Sequence, residues 1–455
     1  MTPTASMIRA ATIAQDEKEQ IRRRSIVSLI FAAALIAGLT TPLGAHAQQR
    51  EVKIGIIYDY TGPFAAGGSQ AAAIGTKIAI DMVNERGGVE GYKIVPMFAD
   101  AQSKVEVAIN EATRLLDQEK VNLILGVYSS AHCVPMAQKV DAAKQFMWIN
   151  NCIASSVFKG KNLRYVFRPG PNSDQYGAVS CSFLNENARG KLGKDPRELK
   201  VAIIYEDGPY GTGVAAGNEQ TCAKYGMQIV LKEGYSATAP DLSSLVTKLR
   251  RARPDVILHT GYNPDITLFW RQAREQGLKW AALIGHGAGY SQRDRLREAF
   301  GKDAEYIYTV DQVPAQLLDP ATLVPGLATL TQELLKRYKA ETRADDVPAQ
   351  ASQGFNHTWI FLTNVLPRAI KKYGGTHPEA LRSAALDTDI PDGGTIQGYG
   401  VKFLPPGSEM AGQNERCSPV VMQYIGAKTE VVWPARLRTA DPVLPWPKSH
   451  SYSNQ

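Results

Sequence analysis

The stretch that decides the fold is Asn122–Ser156, with the sequence NLILGVYSSAHCVPMAQKVDAAKQFMWINNCIASS. Within it, the short apolar runs Leu123–Gly126 and Phe146–Ile149 have the length and composition of buried strands. The segment between them starts near Pro135 and repeats apolar residues at helical spacing, which predicts a helix. A strand, a helix and a second strand in this order are typical of a parallel α/β sheet.

A loop of small polar residues follows each of these two strands. The first loop is Tyr128-Ser129-Ser130-Ala131-His132, and the second runs from 150 to 156. In an open parallel sheet both loops reach the edge formed by the carboxyl ends of the strands, where ligands bind. Main-chain N–H groups and the positive ends of the following helices favour an anion there, such as a carboxylate. Serines in these places also cap helices, but two adjacent hydroxyl-rich loops favour a ligand site.

The same alternation of strands and helices continues on both sides of this stretch. Val52–Tyr58 and Tyr92–Ala99 are predicted strands before it, and Arg168-Pro169-Gly170-Pro171 is a predicted hinge after it. Beyond the hinge the predicted strands are Lys200–Tyr205, Gln228–Tyr235, Val256–His259, Ala281–Gly285, Glu305–Val310, Val420–Ile425 and Glu430–Trp433. Two successive units of this design predict an α/β protein with two lobes, each built on a doubly wound parallel sheet.

The first 47 residues have the pattern of a secretory signal peptide. Three arginines at 22–24 precede the apolar stretch Ile26–Leu39, and Ala45-His46-Ala47 fits the cleavage rule. The apolar stretch is too short to span a bilayer comfortably. We therefore exclude residues 1–47 from the fold and expect an exported protein that begins at Gln48. Because residues 1–20 are long for the start of such a signal, the true start codon could lie further along.

Composition and motifs argue against several classes of function. The chain has 455 residues and a formal net charge of +7, with its charges scattered, so we expect no nucleic-acid partner. Gly285-x-Gly287-x-Gly289 matches only part of a dinucleotide fingerprint, and no GxSxG, HExxH or phosphate-loop motif occurs. The histidines show no metal-ligand spacing. We therefore expect no enzyme activity, no cofactor and no metal site.

Five cysteines at 133, 152, 181, 222 and 417 raise the question of disulfide bonds. Cys133 and Cys152 lie in the two polar loops, which should be neighbours. Cys181 and Cys222 lie on neighbouring helices of the second lobe and are the rival pair, while Cys417 is left over. An exported protein makes a disulfide plausible, but the sequence leaves the pairing open.

Several stretches, in this order, resemble the periplasmic solute-binding proteins of ABC importers. The resemblance is to the type I class of these proteins, which includes the leucine/isoleucine/valine-binding proteins. The stretches are VKIGIIYDYTGPFAAGG, AIDMVNERGGVEGYKI, the serine loop after LILG, YEDGPYGTG and VMQYIG…EVVWP, within about 50–436. The resemblance implies two lobes with a three-segment hinge that close on a small-molecule ligand, an amino acid or a related carboxylate. It also implies a periplasmic monomer that serves ABC permease and ATPase subunits.

The resemblance also assigns lobe boundaries. Lobe 1 would comprise 50–169 plus 311–395, and lobe 2 would comprise 170–309 plus 396–436. Residues 437–455 would form a tail. The chain would cross between the lobes near Arg168–Asn172, Tyr308–Gln312 and Gly393–Tyr399.

In the family, hydroxyl and N–H groups of lobe 1 hold the carboxylate of the ligand, and lobe 2 adds aromatic side chains. By position the implied ligand-binding residues are Phe64, Ser129, Ser130, Ala131, Ile153, Ala154, Ser155, Tyr210, Tyr262 and His286. A sensor that feeds a membrane receptor would use the same module, so this alternative stays open beside transport.

One departure from the family concerns the ligand. Amino-acid-binding members place an acid after the strand that corresponds to Ala281–Gly285, where it pairs with the ligand's ammonium group. Here that position is approximately Gly287. A buried ammonium without a partner costs several kcal/mol. Either another acid, such as Asp207 or Asp265, takes its place, or the ligand is a carboxylate, for example an aromatic one, without an ammonium group.

Overall fold

A five-stranded parallel sheet forms the centre of the first lobe. The computed structural model describes residues 18–20, 22, 50–344 and 346–455, so the predicted signal peptide and its cleavage site lie almost entirely outside the described residues. The strands are β1 (Arg50–Tyr58), β2 (Tyr92–Asp100), β3 (Leu123–Gly126), β4 (Phe146–Ile149) and β5 (Val166–Phe167), in the order β2-β1-β3-β4-β5. The helices between them are α1 (Gln70–Glu85), α2 (Val105–Asp117) and α3 (Ser130–Ala142). Helices on both faces bury the apolar runs of β1, β3 and β4.

The second lobe repeats this pattern after β5. Its strands are β6 (Lys200–Glu206), β7 (Gln228–Tyr235), β8 (Val256–Thr260), β9 (Ala282–His286) and β10 (Tyr308–Asp311). Its helices are α4 (Ser173–Asn187), α5 (Pro209–Lys224), α6 (Ser243–Ala252), α7 (Asn263–Glu275) and α8 (Arg293–Phe300). Strands β6 to β10 pair in parallel, so their carboxyl ends lie at one edge of the sheet.

The chain then returns to the first lobe as a group of helices. They are α9 (Leu327–Thr342), α10 (Ala349–Ile360), α11 (Leu366–Tyr373) and α12 (Pro378–Leu386). Helix α10 packs directly on α1, and two glycines allow it. A Cβ on Gly75 would lie 2.1 Å from the main-chain oxygen of Ala351, and one on Gly354 would lie 2.1 Å from that of Ala72. Any larger residue at these two positions would force the helices apart.

Two pairs of short strands complete the fold. The pair β11 (Asp389–Ile390) and β12 (Val401–Lys402) forms a separate antiparallel ladder. The hairpin β13 (Val420–Ile425) and β14 (Lys428–Trp433) adds to the second sheet, which has the order β14-β13-β10-β9-β8-β6-β7. Strand β13 is antiparallel to β10. The two α/β lobes expected from the sequence are therefore present.

The implied third crossing and the implied tail differ from the structure. Phe403 lies in what was assigned to lobe 2, but its ring packs 5.6 Å from that of Trp148 and 5.2 Å from that of Phe167, in the first lobe. The last passage to the second sheet therefore lies between Phe403 and β13, beyond Gly393–Tyr399. The segment assigned to a tail, 437–455, packs on the second lobe, where the aromatic ring of Tyr452 stacks on a buried tryptophan of that lobe.

Both candidate cysteine pairs form disulfides, so they are not rivals. Cys133 of α3 is bonded to Cys152 in the loop after β4, and Cys181 of α4 is bonded to Cys222 of α5. Cys417 is a free, buried thiol. In the described part of the chain, no helix combines the length and apolar character that a membrane span requires.

Candidate functional site

A cavity lies between the two lobes, where the carboxyl ends of strands from both sheets face each other. In this arrangement side chains nearly fill the cavity, and the empty volume that remains is about 30 Å³, which is room for about two water molecules. The described residues that line it are Tyr128, Ser130, Asn151, Ile153, Tyr176, Tyr210, Tyr262, Gly287, Ala288, Asp311, Gln350 and Gln353. The edge of an open α/β sheet is where ligands bind in such folds.

The first-lobe wall comes from the two loops that the sequence singles out. Tyr128 and Ser130 follow β3, and Asn151 and Ile153 follow β4. Ser130 begins α3, so the first, unpaired N–H groups of this helix lie at the cavity. The Ser130 hydroxyl also accepts a hydrogen bond from the main-chain N–H of Ala154, at 3.3 Å. One hydroxyl thus joins the two loops, and the disulfide Cys133–Cys152 joins them again.

The second-lobe wall is aromatic. The ring centroids of Tyr210 and Tyr262 are 5.3 Å apart, and the Tyr210 hydroxyl donates a hydrogen bond to the main-chain oxygen of His286. Tyr262 precedes α7, and its ring lies 6.3 Å from that of Tyr128 in the first lobe. These rings make the cavity largely apolar on this side.

A buried carboxylate lies at the end of β10, in the wall of the cavity. Asp311 is 1% exposed and accepts five hydrogen bonds. The donors are the Tyr176 hydroxyl at 2.6 Å, the Ser291 hydroxyl at 2.6 Å, the Gln353 amide at 2.9 Å, the Gln350 amide at 3.1 Å and the Gln312 main-chain N–H at 2.7 Å. Gln350 and Gln353 belong to α10 of the first lobe, so both lobes bind this one carboxylate.

The charge of Asp311 has no basic partner in the cavity. No arginine or lysine is among the described residues that line it. Burial raises the pKa of Asp311, and the hydrogen bonds from Ser291 and Tyr176 oppose that rise. A carboxylate held this way favours a ligand that brings a positive group to the cavity.

Four of the ten predicted ligand-binding residues line the cavity, namely Ser130, Ile153, Tyr210 and Tyr262. A fifth, Phe64, stands next to it, with its ring centroid 4.4 Å from that of Tyr262. The structure thus brings these five together, although their contact with a ligand stays a prediction.

Four other predicted residues lie close by without lining the cavity. Ser155 already binds Ser173 of α4: its N–H donates to the Ser173 hydroxyl at 3.0 Å, and the two hydroxyls are 2.9 Å apart. The N–H of Ala154 is taken by Ser130. Ser129 is fully buried before α3, and Ala131 lies in the first turn of that helix. In this closed arrangement Ser155 therefore joins the lobes rather than facing a ligand.

His286 is the one predicted residue that points away from the cavity. Its Nδ1 is 2.9 Å from the Thr260 hydroxyl, and its Nε2 is 3.2 Å from the Ser180 hydroxyl, inside the second lobe. The reason is the length of β9, which ends at His286 rather than at Gly285. His286 is therefore a strand residue and not the loop residue that the sequence predicts, and its neighbour Gly287 lines the cavity. Contact of the His286 side chain with a ligand stays a prediction.

Sequence reasoning missed Asp311, Tyr176 and the two glutamines of α10. Asp311 ends a strand, at the same edge as the residues that were predicted, and this was the signal that could have found it. The two acids named as substitutes do not line the cavity. Asp207 is exposed, and Asp265 is bound to the Tyr235 hydroxyl at 2.6 Å and to the N–H of Tyr262 at 2.8 Å.

Gly287, the approximate position at which the family resemblance implies an acid, is close to Asp311. Gly287 has φ of +37°, and a Cβ built on it would lie 3.7 Å from Asp311 Oδ2. A side chain at 287 and the carboxylate of Asp311 would therefore occupy adjoining space. The acid is absent from the loop after β9, but a carboxylate is present in the same corner of the cavity.

Comparison with known proteins places this geometry in context. The sequence profile of the periplasmic binding proteins matches residues 51–420. The Leu/Ile/Val-binding protein homolog 8 of Brucella abortus (strain 2308) is 35% identical over 407 residues, which cover 89% of this chain and 96% of the relative.

Two solved structures share the fold. The leucine binding protein LivK of Thermotoga maritima has a TM-score of 0.69 at 22% identity, covering 84% of this chain and 97% of that one. A solute binding protein of R. palustris, solved in complex with benzoate, has a TM-score of 0.67 at 16% identity, covering 84% and 95%. At these identities the likeness concerns the fold alone.

Proposed function

Because the chain belongs to the periplasmic binding protein family and serves solute binding for ABC transport rather than catalysis, we propose that it captures an α-amino acid between its lobes. In this proposal the ammonium group of the ligand lies at Asp311 and its carboxylate lies at the start of α3. An ABC permease with its ATPase subunits is the proposed receiver of the ligand.

The observation that carries the proposal is the carboxyl group of Asp311, which is buried in the cavity wall with no arginine or lysine among the described lining residues. A carboxylate ligand without an ammonium group would bring a second negative charge beside it, which low-dielectric surroundings penalise. A zwitterion avoids this penalty, because its ammonium group pairs with Asp311. The name of the Brucella relative, which refers to leucine, isoleucine and valine, agrees with such a ligand.

The carboxylate end of the ligand is assigned to the first lobe. Ser130 offers a hydroxyl and stands at the positive end of α3, where anions are stabilised. The distance between the two ends of an amino acid is short, so Ser130 and Asp311 must both face one small cavity, and both line it. Tyr210 and Tyr262 would then contact the side chain of the ligand.

Binding would favour the closed arrangement of the lobes. Several contacts already cross the cleft, including Gln292 to Gln350 at 2.5 Å and Arg293 to Asp346 at 2.6 Å. Because the empty volume of the cavity is only about 30 Å³ here, its walls must move apart to admit an amino acid. A ligand that then touches both walls stabilises a closed form around itself and shifts the population towards it. The closed form would be the one that docks on a permease.

A second candidate is a carboxylate ligand without an ammonium group. The observation that favours it is that five protein donors already satisfy Asp311, which leaves no acceptor position plainly vacant. In that case Asp311 would hold the two lobes together and would not contact the ligand. The fold is compatible with this candidate, since the R. palustris protein was solved with benzoate.

Matched ligand pairs decide between the two candidates. Thermal unfolding of the mature protein, refolded to remove bound ligand, is measured with L-leucine against 4-methylpentanoate and with L-phenylalanine against 3-phenylpropionate. A ligand at 100 times its dissociation constant stabilises the protein by about 2.7 kcal/mol. Stabilisation by the amino acids alone supports the proposal. Stabilisation by the carboxylates alone contradicts it in favour of the second candidate, and no stabilisation by any of the four contradicts both.

A further inference from the structure

Arg168 is a fully buried arginine without an acidic partner. Its side chain is 1% exposed, and it directly follows β5. In residues 50–344 and 346–455 no carboxylate lies within 4.0 Å of its guanidinium group, and Nη2 has no hydrogen-bond partner. Buried arginines are rare unless they are paired, so the position of this charge calls for an explanation.

The guanidinium group binds neutral oxygens instead. Nη1 donates to the main-chain oxygens of Cys152, at 3.2 Å, and Ala154, at 2.9 Å. Nε donates to the side-chain oxygen of Gln413 at 2.8 Å. The nearby thiol of Cys417 does not supply a negative charge, because burial raises its pKa to about 12.

Both of the main-chain oxygens belong to the loop that forms the first-lobe wall of the cavity. In a trans peptide the C=O of one residue and the N–H of the next point in opposite directions, and the cis bonds of the described chain lie elsewhere. The N–H groups of Ile153 and Ser155 therefore point away from Arg168. The N–H of Ser155 meets Ser173 on that far side, as expected, and Ile153 lines the cavity.

We propose that Arg168 is a positioning residue that supplies the positive charge for the ligand's carboxylate without contacting it. It fixes and polarises the peptide between Cys152 and Ile153, so that the Ile153 N–H becomes a stronger donor on the cavity side. Its own charge acts across one peptide unit, in surroundings where burial weakens screening. Since no described residue that lines the cavity is an arginine or a lysine, the positive charge for the carboxylate would come from Arg168, which lies behind the lining. This inference rests on the proposed function, since it requires a ligand with a carboxylate.

The test compares ligands with and without that carboxylate. Dissociation constants are measured by calorimetry for L-leucine, L-phenylalanine and their amides, with wild type, Arg168→Gln and Arg164→Gln. Arg164 is a matched control, because it is four residues away, exposed, and paired with Glu379. We expect Arg168→Gln to weaken both amino acids on the order of tenfold and the amides much less, while Arg164→Gln changes neither. Equal effects on acids and amides, or no effect on either, would overturn the proposal.

Two further variants separate charge from shape. Gln413→Glu places a negative charge beside the guanidinium group, and it should weaken the amino acids more than the amides. This variant decides the question if Arg168→Gln does not fold.

In Arg168→Lys, burial lowers the pKa of the new amine, so the affinity of this variant for the amino acids should fall from pH 6.5 to pH 8.5, while the affinity of wild type stays unchanged. A purely structural role would leave the pH profile unaltered. If wild type binds none of the four ligands, the proposed function fails. If wild type binds the amino acids but the affinities of the variants differ from those expected here, only the role of Arg168 fails.

Discussion

The ring of Phe64 in the first lobe and the ring of Tyr262 in the second lobe face each other across the cleft, with their centroids 4.4 Å apart and their planes at 36°. Phe64 follows β1, and Tyr262 precedes α7. An aromatic pair of this kind contributes about 0.5–1.5 kcal/mol beyond its area burial. The closed arrangement is therefore stabilised in part by two side chains of the protein itself.

We expect Phe64→Ala and Tyr262→Ala to weaken binding of the amino acid that stabilises the protein most, because each variant loses a contact that only the closed form makes. Calorimetric dissociation constants for both single variants and the double variant should give a coupling energy of about 0.5–1.5 kcal/mol. Phe98→Ala is the control, since its edge-on partner Tyr60 lies in the same lobe. A coupling energy near zero would mean that the two rings act independently.

Asp311→Asn should reduce both stability and ligand selectivity. The amide replaces one acceptor oxygen with a donor, so at least one of the five buried donors loses its partner, at a cost of about 1–3 kcal/mol. The amino acids should also lose their advantage over the matched carboxylates in thermal unfolding. Asp265→Asn is the control, because that carboxylate is buried against Tyr235 and lies outside the cavity lining. Unchanged selectivity in Asp311→Asn would speak against an ammonium group at this position.

The two disulfides should differ in their effect on binding. Cys181–Cys222 closes a loop of 41 residues and Cys133–Cys152 one of 19, so a chain-entropy argument gives losses of unfolding free energy of about 4 and about 3 kcal/mol when each is replaced by an alanine pair. Ligand affinity should fall when Cys133 and Cys152 are replaced, because they join the two loops of the cavity wall. It should stay unchanged when Cys181 and Cys222 are replaced. If replacing Cys133 and Cys152 leaves ligand affinity unchanged while replacing Cys181 and Cys222 lowers it, the two loops hold their positions without the disulfide.

Acid should destabilise the second lobe through His286. Burial lowers the pKa of this histidine from its ordinary value of 6.5 to about 4. The unfolded chain therefore takes up a proton that the folded protein does not, and the stability that the neutral ring contributes is complete above pH 6.5 and is lost as the pH falls towards 4. The free energies of unfolding of wild type and His286→Gln, measured with denaturant, should diverge by about 1.4 kcal/mol per pH unit in this window. Parallel curves would indicate that the pKa of the ring is the same in the folded and unfolded states.

Much of the first-lobe wall could be predicted because it follows from local sequence. The loop after β3 and the loop after β4 each stand directly behind a short apolar strand, and parallel strands bring such loops to one edge. Ser130 and Ile153 were therefore within reach. The position of Asp311 at a strand end was also a local signal, but its burial and its hydrogen bonds were not. They depend on Gln350 and Gln353, which come from a helix about 40 residues further along the chain.

His286 illustrates a different limit. The sequence places His286 in the loop beyond β9, at the edge of the sheet. In the structure the strand includes His286, and its side chain stands on a face of the sheet, inside the second lobe. The residues Ala281–Gly285 were predicted as the strand, and the structure has Ala282–His286. No local pattern distinguishes these two possibilities, since glycine and histidine both occur at strand ends.

Neither lobe can be completed early in synthesis. Tyr452 stacks on Trp280 in the second lobe and Trp446 meets the same ring edge-on, so that lobe lacks part of its interior until these late residues have left the ribosome. The first lobe waits in turn for α10, whose Gly354 packs against α1. The nascent chain thus carries exposed apolar strands such as β1 through most of its translation, a condition that favours aggregation. A holdase that binds the emerging strands would therefore matter more for this protein than for one whose domains are contiguous in sequence.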